Sequence, residues 1–171
     1  VAEQFFAAEW NVHEDRPAAV GMDPARRYGV TLHALLEALA PPSVPLERAE
    51  LFARSSSPRD EFERAWIHAH RILQSPALAR FFQPKHYLRA HNELPFYDET
   101  GQVRRIDRMV EYDDEIWLLD YKAMHTADQN SELFHRYAAQ ISSYREAMAK
   151  IFAKPVRSAL ILGDASVLEM R

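Results

Sequence analysis

Asp107, Asp120 and Lys122 are the residues of this chain whose types and spacing best suit chemistry. Two carboxylates brought face to face repel each other unless a cation lies between them. A divalent cation would fit such a place, because hard cations take carboxylate oxygens as ligands. The chemistry to consider is therefore metal-assisted, provided that the fold brings these side chains together.

The local sequence pattern predicts a β-hairpin around these residues. Residues 103–112 alternate between apolar and polar types, imperfectly, with a slip near Arg105, and residues 116–119 are continuously apolar. The first pattern is typical of a strand with one polar face, and the second of a strand buried on both faces. Asp113 and Asp114 lie between the two runs and tolerate the backbone angles of a tight turn.

The symmetry of this hairpin sets its register. With residues 113–114 as the loop, counting outward places Asp107 opposite Asp120, and the same count places Arg105 opposite Lys122. Opposed residues share a face of the sheet, with Cβ atoms about 5 Å apart, and strand side chains repeat every two residues. Two interpretations stay open here: a divalent-cation site, and an ordinary hairpin in which Lys122 makes a salt bridge and no metal binds.

The composition is that of a single globular domain. Of the 171 residues, 47% are hydrophobic and 27% are charged, and no apolar run of about 18 residues could span a membrane. The N-terminal residues lack the segments of a signal peptide, so we expect a cytoplasmic protein. Cysteine is absent, which excludes disulfides, iron–sulfur clusters and thiolate zinc sites. The net charge of −4 weighs against strong autonomous DNA binding.

The order of predicted elements indicates an α/β fold with a central mixed β-sheet flanked by helices and an extra N-terminal helical part. We expect one domain with an irregular lead-in, a helical part and a sheet core: 1–22, 23–85 and 86–171. Asp23 and Pro24 suit a helix start, and a short helix is predicted near residues 3–10. Further helices are predicted over 46–54, 58–73, 76–82 and 131–152. Strands are predicted over 86–96, 103–112, 116–119, 156–162 and 167–170, and Pro95 predicts that the first ladder stops there.

Two further pairs of polar residues lie one helical turn apart. Gly29 and His33 share a face of the first long helix, where the glycine should permit another element to approach closely, since it costs about 1 kcal/mol against alanine. Gln140 and Tyr144 flank the buried face of the last helix. Taken alone, His33 could equally be a helix-edge histidine, Gln140 an exposed residue and Tyr144 a core residue. Two other histidines point to different sides of their helix and make a poor metal pair: His68 and His70.

Taken in order, these motifs resemble one family. They are Gly29-x-x-x-His33, Glu93-Leu94-Pro95-Phe96, Ile106-Asp107, Asp120-Tyr121-Lys122 and Gln140-x-x-x-Tyr144. From about Asp23 to its end, the chain resembles the RecB/AddA-type branch of the PD-(D/E)XK nucleases. That branch forms the C-terminal nuclease domain of bacterial helicase–nucleases that process double-strand breaks. Arg105 stands where the family commonly has glycine, and the four cysteines that hold an iron–sulfur cluster in some relatives are missing.

The resemblance implies a metal site and a catalytic lysine. His33, Asp107 and Asp120 would bind Mg²⁺ or Mn²⁺, with the carbonyl of Tyr121 as a further ligand and no iron–sulfur cluster. A neutral imidazole beside carboxylates suits Mn²⁺ as well as Mg²⁺. Lys122 would orient or activate the attacking water and stabilise the charged phosphate.

The resemblance also implies supporting and DNA-binding residues. Gln140 and Tyr144 would support the site or hold a DNA phosphate. Several arginines are candidate phosphate contacts, although each is also compatible with a plain surface charge: Arg26, Arg27, Arg104, Arg105 and Arg108.

The function that the resemblance implies is that of a metal-dependent deoxyribonuclease domain. It would act on single strands or duplex ends within a helicase–nuclease for double-strand break repair and recombination. Its partners would be DNA, the helicase domain of the parent chain and a second helicase–nuclease subunit, with no membrane. One alternative is a catalytically silent nuclease-fold module that binds DNA or bridges subunits, for which Arg105 leaves room. Another is a hydrolase of a different phosphoester.

Overall fold

The computed structural model describes residues 23–44, 46–97, 101–123 and 132–170, and it describes side chains in the last range from residue 135 onward. The predicted lead-in over residues 1–22, with its short helix near residues 3–10, lies outside these ranges. No helix among the described residues is both long and apolar enough to cross a membrane.

The described helices and strands follow the predicted order. The α-helices are α1 (Pro24–Leu39), α2 (Arg48–Arg54), α3 (Arg59–Leu73), α4 (Ala79–Phe82) and α5 (Glu132–Ala149). The strands are β1 (Arg89–Tyr97), β2 (Val103–Glu111), β3 (Ile116–Lys122), β4 (Val156–Leu162) and β5 (Val167–Met170). Helix α1 begins as predicted, because the Asp23 side chain accepts a hydrogen bond from the Arg26 backbone N–H at 3.2 Å.

The strands form one mixed five-stranded sheet in the order β1-β2-β3-β4-β5. Strands β3 and β4 are parallel, and the other neighbouring pairs are antiparallel. Helix α5 lies between β3 and β4 in sequence, which is the connection that a parallel pair requires. The predicted α/β fold with a mixed sheet and flanking helices is confirmed.

The sheet is buried on both faces. One core cluster joins the first four helices to one face and includes Leu36, Phe62, Phe81, Trp117 and Tyr121. The other joins α5 to the opposite face and includes Ile106, Met109, Leu118, Ile141 and Leu160. Alternate residues of β3 therefore serve different layers, as expected for a strand buried on both sides.

The hairpin of β2 and β3 has the predicted register, but its ladder is shorter. The backbone N–H of Tyr112 donates to the carbonyl of Glu115 at 2.9 Å across the turn. Paired residues then run outward and end at Arg108 and Leu119. The next pair would be Asp107 with its predicted partner, and no such ladder pair forms in the described part of the sheet.

The predicted pairing of Arg105 with Lys122 does not form among the described residues. Arg105 pairs instead with Pro95 of β1, on the other side of β2. The prediction that the first ladder stops at Pro95 is also wrong, because the pairing of β1 with β2 continues to Tyr97. Strand β1 lies at the edge of the sheet, where a residue without a backbone N–H is tolerated.

The regular alternation of side chains between the two faces of the sheet slips by one residue in each of two neighbouring strands. The residues concerned are Glu93 in β1 and Asp107 in β2. The β1–β2 ladder passes from Asn92–Arg108 directly to Leu94–Ile106 and omits the pair between them. Glu93 has a φ of 52°, a left-handed conformation that costs a non-glycine residue roughly 1–2 kcal/mol. Asp107 is thus outside the ladders on both of its sides, so its side chain and the surrounding backbone groups are available for other contacts.

Two glycines beside the C-terminal end of β3 should respond in opposite ways to substitution by alanine. A Cβ on Gly163 would lie 2.7 Å from the carbonyl oxygen of Ala123, whereas a Cβ on Gly29 would lie 3.8 Å from the Ala123 side chain, an ordinary contact. The close approach that Gly29 was predicted to permit is therefore not found among the described residues, where an added Cβ would make only an ordinary contact.

We expect Gly163→Ala to lower the free energy of unfolding by about 1–3 kcal/mol, because backbone must move to accommodate the methyl group. Gly29→Ala should leave stability unchanged or raise it by up to about 1 kcal/mol through helix propensity. Urea unfolding of both variants measures the difference. Equal stabilities would contradict the close approach of Gly163 to Ala123.

Candidate metal centre

Asp107 lies at the junction of α1, β2 and β3. Its Oδ2 accepts a hydrogen bond from the backbone N–H of Tyr121 at 2.6 Å and lies 2.9 Å from Nε2 of His33. The ring of Tyr121 packs edge-on against the His33 ring, with 5.7 Å between centroids. The side chain of Asp107 thus accepts a hydrogen bond from the backbone of β3 where the ladder ends. It also positions His33 of α1 over the sheet.

Asp120 and Lys122 form the other half of the site, on the face that packs against α5. Lys122 Nζ lies 2.6 Å from Asp120 Oδ2 and 4.3 Å from the ring centroid of Tyr137 in α5. Burial raises the pKa of Asp120, and the neighbouring Asp107 carboxylate raises it further, against the effect of Lys122. The charged form of Asp120 is therefore disfavoured in the absence of an additional cation.

His33 carries a proton over most of the neutral range in the metal-free protein. Burial tends to lower its pKa, but its hydrogen bond to Asp107 and the carboxylates of Asp107, Glu93 and Asp120 together raise the pKa from 6.5 to about 9. A cation would replace this proton, because a metal-binding imidazole must be neutral.

We expect the metal-free domain to lose stability as the pH rises from about 6.5 to about 9. The folded state binds the His33 proton more tightly than the unfolded state, whose pKa is the ordinary 6.5. This contribution is fully present below pH 6.5 and is lost as the pH passes through the folded-state pKa. Thermal unfolding in a chelator from about pH 6 to about pH 10 tests it. The decrease should be smaller in His33→Asn, and an equal decrease in both proteins would contradict it.

The donor types suit a hard divalent cation. His33, Asp107 and Asp120 offer two carboxylates and one imidazole, ligand types that Mg²⁺ and Mn²⁺ accept. The Oδ2 atom of Asp120 is buried and lies 2.6 Å from the Lys122 ammonium. A cation bound there would share this carboxylate with Lys122 and would balance the charge that burial disfavours.

A comparison with models of protein families identifies the family of this chain. A sequence model described as the PD-(D/E)XK nuclease superfamily matches residues 5–169. The chain belongs to the PD-(D/E)XK nuclease superfamily. Members of this superfamily are typically metal-dependent nucleases. A search of curated proteins finds no match to this chain.

Two glutamates that the sequence analysis did not assign to the site lie beside His33. One ligand atom from each of His33, Glu37 and Glu93 lies within 4.8 Å of the others. Glu37 follows His33 by one helical turn and so shares its face of α1, a signal that the sequence contained. Glu93 belongs to the Glu-Leu-Pro-Phe motif and is brought to the site by the slip in β1.

Gln140 and Tyr144 lie on α5, and their described contacts do not include the carboxylates. The Gln140 side-chain amide donates to the Tyr144 hydroxyl at 2.6 Å. Tyr144 is buried and packs edge-on against Phe96 of β1, with ring centroids 5.0 Å apart. Tyr137, also on α5, contacts Lys122 through its ring.

Arg108 cannot serve as the predicted phosphate contact. Its side chain is fully buried, at 0% exposure, and it donates to the backbone carbonyls of Phe81 and Pro41 and to the side chain of Asn92. Its guanidinium also lies 5.1 Å from the Phe82 ring centroid. A phosphate could reach Arg108 only if this core opened, so the prediction for Arg108 is wrong.

Three of the other four candidate arginines, which lie nearer the surface, have protein partners of their own. Arg104 donates to the Gln102 side chain at 2.9 Å, and Arg105 forms an ion pair with Glu93 at 3.2 Å. Arg27 makes two hydrogen bonds of 2.9 Å with the Glu61 carboxylate. These ion pairs and hydrogen bonds must be exchanged before any of the three can bind a phosphate.

His68 has a structural role that sequence spacing did not show. Its Nδ1 bonds the Tyr28 hydroxyl of α1 at 2.9 Å, and its Nε2 bonds the Gly163 carbonyl. His68 therefore ties α1 and α3 to the turn after β4, beside the C-terminal end of β3.

Proposed function

We propose that this domain is a Mg²⁺- or Mn²⁺-dependent deoxyribonuclease of the RecB/AddA type. The observation that supports it best is that two ion pairs, His33 with Asp107 and Lys122 with Asp120, both lie where the β2–β3 ladder ends. Family membership supports nuclease chemistry. The ordered motifs support the RecB/AddA branch.

His33, Asp107 and Asp120, with the carbonyl of Tyr121, are the residues that would hold the cation. When bound, such a cation supplies charge relief on the phosphate and an acidified water near neutral pH. The chain keeps these ligands in place through hydrogen bonds of its own. In particular, the Tyr121 N–H and the His33 ring both bind Oδ2 of Asp107.

Lys122 is positioned to stabilise negative charge on the reacting phosphate or to orient the attacking water. Its ammonium is mostly buried, and it is held between Asp120 and the Tyr137 ring. Its pKa is lowered by burial but raised more by Asp120, so the net shift is upward and the group stays charged. A buried ammonium acts at low effective dielectric, where its attraction for a phosphate is stronger than in water.

The substrate strand is expected to come from a larger assembly. Nonspecific attraction to DNA depends on Lys and Arg side chains that neutralise phosphates, and the chain has a net charge of −4. We therefore infer that the isolated domain binds DNA weakly. The helicase domain of a parent chain and a second helicase–nuclease subunit are the proposed partners, in cytoplasmic processing of DNA ends for repair and recombination.

The proposed function is tested with labelled single-stranded and double-stranded DNA, with Mn²⁺, with Mg²⁺ and with a chelator. We expect weak cleavage of DNA that depends on the divalent cation and is lost in Asp107→Ala. Cleavage that persists in the chelator, or in the variant, would overturn the assignment. Turnover of a small phosphate ester but not of DNA would instead indicate a different phosphoester hydrolase.

A catalytically silent DNA-binding module is the second candidate. One observation favours this second candidate. Arg105 forms an ion pair with Glu93 at 3.2 Å beside the site. A bulky, charged side chain therefore occupies the position where nucleases of the RecB/AddA type commonly have glycine. The same assay separates the two. DNA binding without cleavage, at saturating Mn²⁺ and in the presence of a helicase partner, would support the silent module.

A further inference from the structure

Lys122 is the last residue of β3, and its ammonium contacts side chains of two different elements. Within β3, Asp120 lies two residues earlier on the same face, with its Oδ2 atom 2.6 Å from Lys122 Nζ. In α5, the ring centroid of Tyr137 lies 4.3 Å from the same nitrogen. A cation within about 6 Å of a ring centroid is attracted by the negative face of the ring. The ammonium is therefore held between a carboxylate and an aromatic face.

Tyr137 is held in place by the core that α5 shares with the sheet. It lies one helical turn before Ile141, which is 1% exposed, and its partly buried ring packs against the same core cluster. Helix α5 itself packs against β3 and β4. A tyrosine ring turns about two side-chain bonds, whereas lysine has a flexible four-carbon stem. The ring is thus the fixed partner of this contact, and the ammonium is the group that needs to be held.

The two contacts of Lys122 respond differently to a divalent cation. A cation at Asp120 would compete with the ammonium for the same carboxylate, because both are positive and repel each other. The face of the Tyr137 ring has no oxygen atom that a hard cation would take as a ligand. Binding of the cation should therefore weaken the contact with Asp120 and leave the contact with the ring in place.

The contact with the ring also leaves the ammonium able to act. An ammonium group has three N–H donors, and an aromatic face attracts it without a compensating negative charge. The charge and the donors that point away from the ring stay available for a phosphate oxygen or a water. A fixed positive charge of this kind is what a group that stabilises developing negative charge requires.

We propose that Tyr137 is a positioning residue for Lys122, and that its ring retains the ammonium at the site when a divalent cation occupies Asp120. Tyr137 acts through Lys122 and not on the reacting phosphate itself. The cleavage reaction that Lys122 would serve rests on the proposed function, whereas the order of the Lys122 side chain can be measured without DNA.

Nuclear magnetic resonance of protein labelled with ¹³C at the lysine ε carbon measures this order. The chain has four lysines, and Lys122→Arg identifies the signal of Lys122. In the unmodified protein, the ring current of Tyr137 should shift the Hε protons upfield, and the side chain should be ordered with and without Mg²⁺. In Tyr137→Leu it should be ordered without Mg²⁺, where Asp120 holds it, and mobile with Mg²⁺. Tyr137→Phe keeps the ring and should behave like the unmodified protein.

Cleavage kinetics separate a positioning role from a packing role. Tyr137→Leu should lower kcat for DNA cleavage by about 2- to 30-fold, the range that corresponds to a cation–π contact. The KM for DNA and the affinity for Mg²⁺ should not change. In a Lys122→Ala background the same substitution should have little further effect, because the two side chains act as a unit. A packing defect would instead lower cleavage equally in both backgrounds and would contradict the proposal.

A fluorinated phenylalanine at position 137 tests the electrostatic part of the contact while it preserves the shape of the ring. Fluorine withdraws the negative charge from the ring face that attracts a cation, so Lys122 should become mobile in the presence of Mg²⁺. This variant also replaces Tyr137→Leu if thermal unfolding shows that the leucine variant does not fold.

Tyr112→Leu is the matched control. Tyr112 is also a partly buried tyrosine beside a cation, with the guanidinium of Arg80 4.9 Å from its ring centroid, but it lies next to the hairpin turn. Its substitution should leave both the Lys122 signal and cleavage unchanged. The proposal would be overturned if Lys122 stayed ordered in the Mg²⁺-loaded leucine and fluorinated variants, or if it were mobile in the Mg²⁺-loaded unmodified protein.

Failure of the positioning role is distinguishable from failure of the proposed function. Mobility of Lys122 that appears with Mg²⁺ in Tyr137→Leu, in a protein that never cleaves DNA, would retain the role of Tyr137 and refute the nuclease assignment. Cation-dependent cleavage together with an unaltered Lys122 signal in Tyr137→Leu would refute only the positioning role.

Discussion

Lys122→Ala is expected to lower DNA cleavage by about 10²- to 10⁴-fold, the contribution typical of a positioned acid–base or charge-stabilising group. The ammonium lies 2.6 Å from Asp120 Oδ2, beside the proposed ion but without the ability to coordinate it. Its loss should therefore leave Mn²⁺ affinity equal or higher, because a competing positive charge is removed. Cleavage is best measured in the parent helicase context, and affinity by calorimetry.

Lys154→Ala is the matched control for Lys122→Ala. Lys154 is also a partly buried lysine in an ion pair, 2.7 Å from Glu111 Oε1, but Glu111 lies at the C-terminal end of β2, beside the turn and away from Asp107. The control should cleave DNA normally. The stabilities of the variants should be compared in the presence of Mn²⁺, since the ion balances the negative charge of Asp120 when Lys122 is absent. Cleavage by Lys122→Ala within about threefold of the unmodified protein would show that Lys122 is only a salt-bridge partner.

Asp120→Asn should abolish the proposed Mn²⁺ site and reduce cleavage by about 10³-fold or more, because a bound ion supplies several kcal/mol of charge stabilisation. The variant should still unfold cooperatively on heating, since the amide has nearly the shape of the carboxylate. Loss of Mn²⁺ binding in a folded protein is a result that misfolding does not produce.

Asp114→Asn is the control for this second prediction. It makes the same chemical change in the same hairpin, at an exposed residue of the turn. Its metal affinity, cleavage and melting temperature should match those of the unmodified protein. Unchanged Mn²⁺ binding in Asp120→Asn would exclude Asp120 as a ligand.

The hairpin could be predicted from the sequence because its turn is symmetric. A two-residue turn at Asp113 and Asp114 fixes the pairing of every residue that follows, and the observed pairs have that register. The same register predicted that Asp107 lies near Asp120. The sequence pattern could not show that the ladder stops at Arg108, because this depends on the hydrogen bond that the Asp107 side chain accepts from the Tyr121 N–H.

The parts that the sequence did not predict depend on contacts between distant segments. The burial of Arg108 follows from carbonyls of Phe81 and Pro41, which no local pattern connects with β2. The place of Glu93 in the site follows from its left-handed backbone. Glu37 was predictable from helical spacing, but its significance required the position of Glu93.

The division of the site between one hairpin and one distant helix has a consequence for how the protein folds. Asp107, Asp120 and Lys122 belong to β2 and β3, whereas His33 precedes Asp107 by about 70 residues and is brought in by α1. Hairpins form in roughly 1–10 μs, and contacts between distant segments require a larger loss of chain entropy. We expect the hairpin to be structured in the folding transition state and the α1 contact to form after it. Changes in the hairpin core would then slow folding, whereas loss of the His33 contact would mainly speed unfolding.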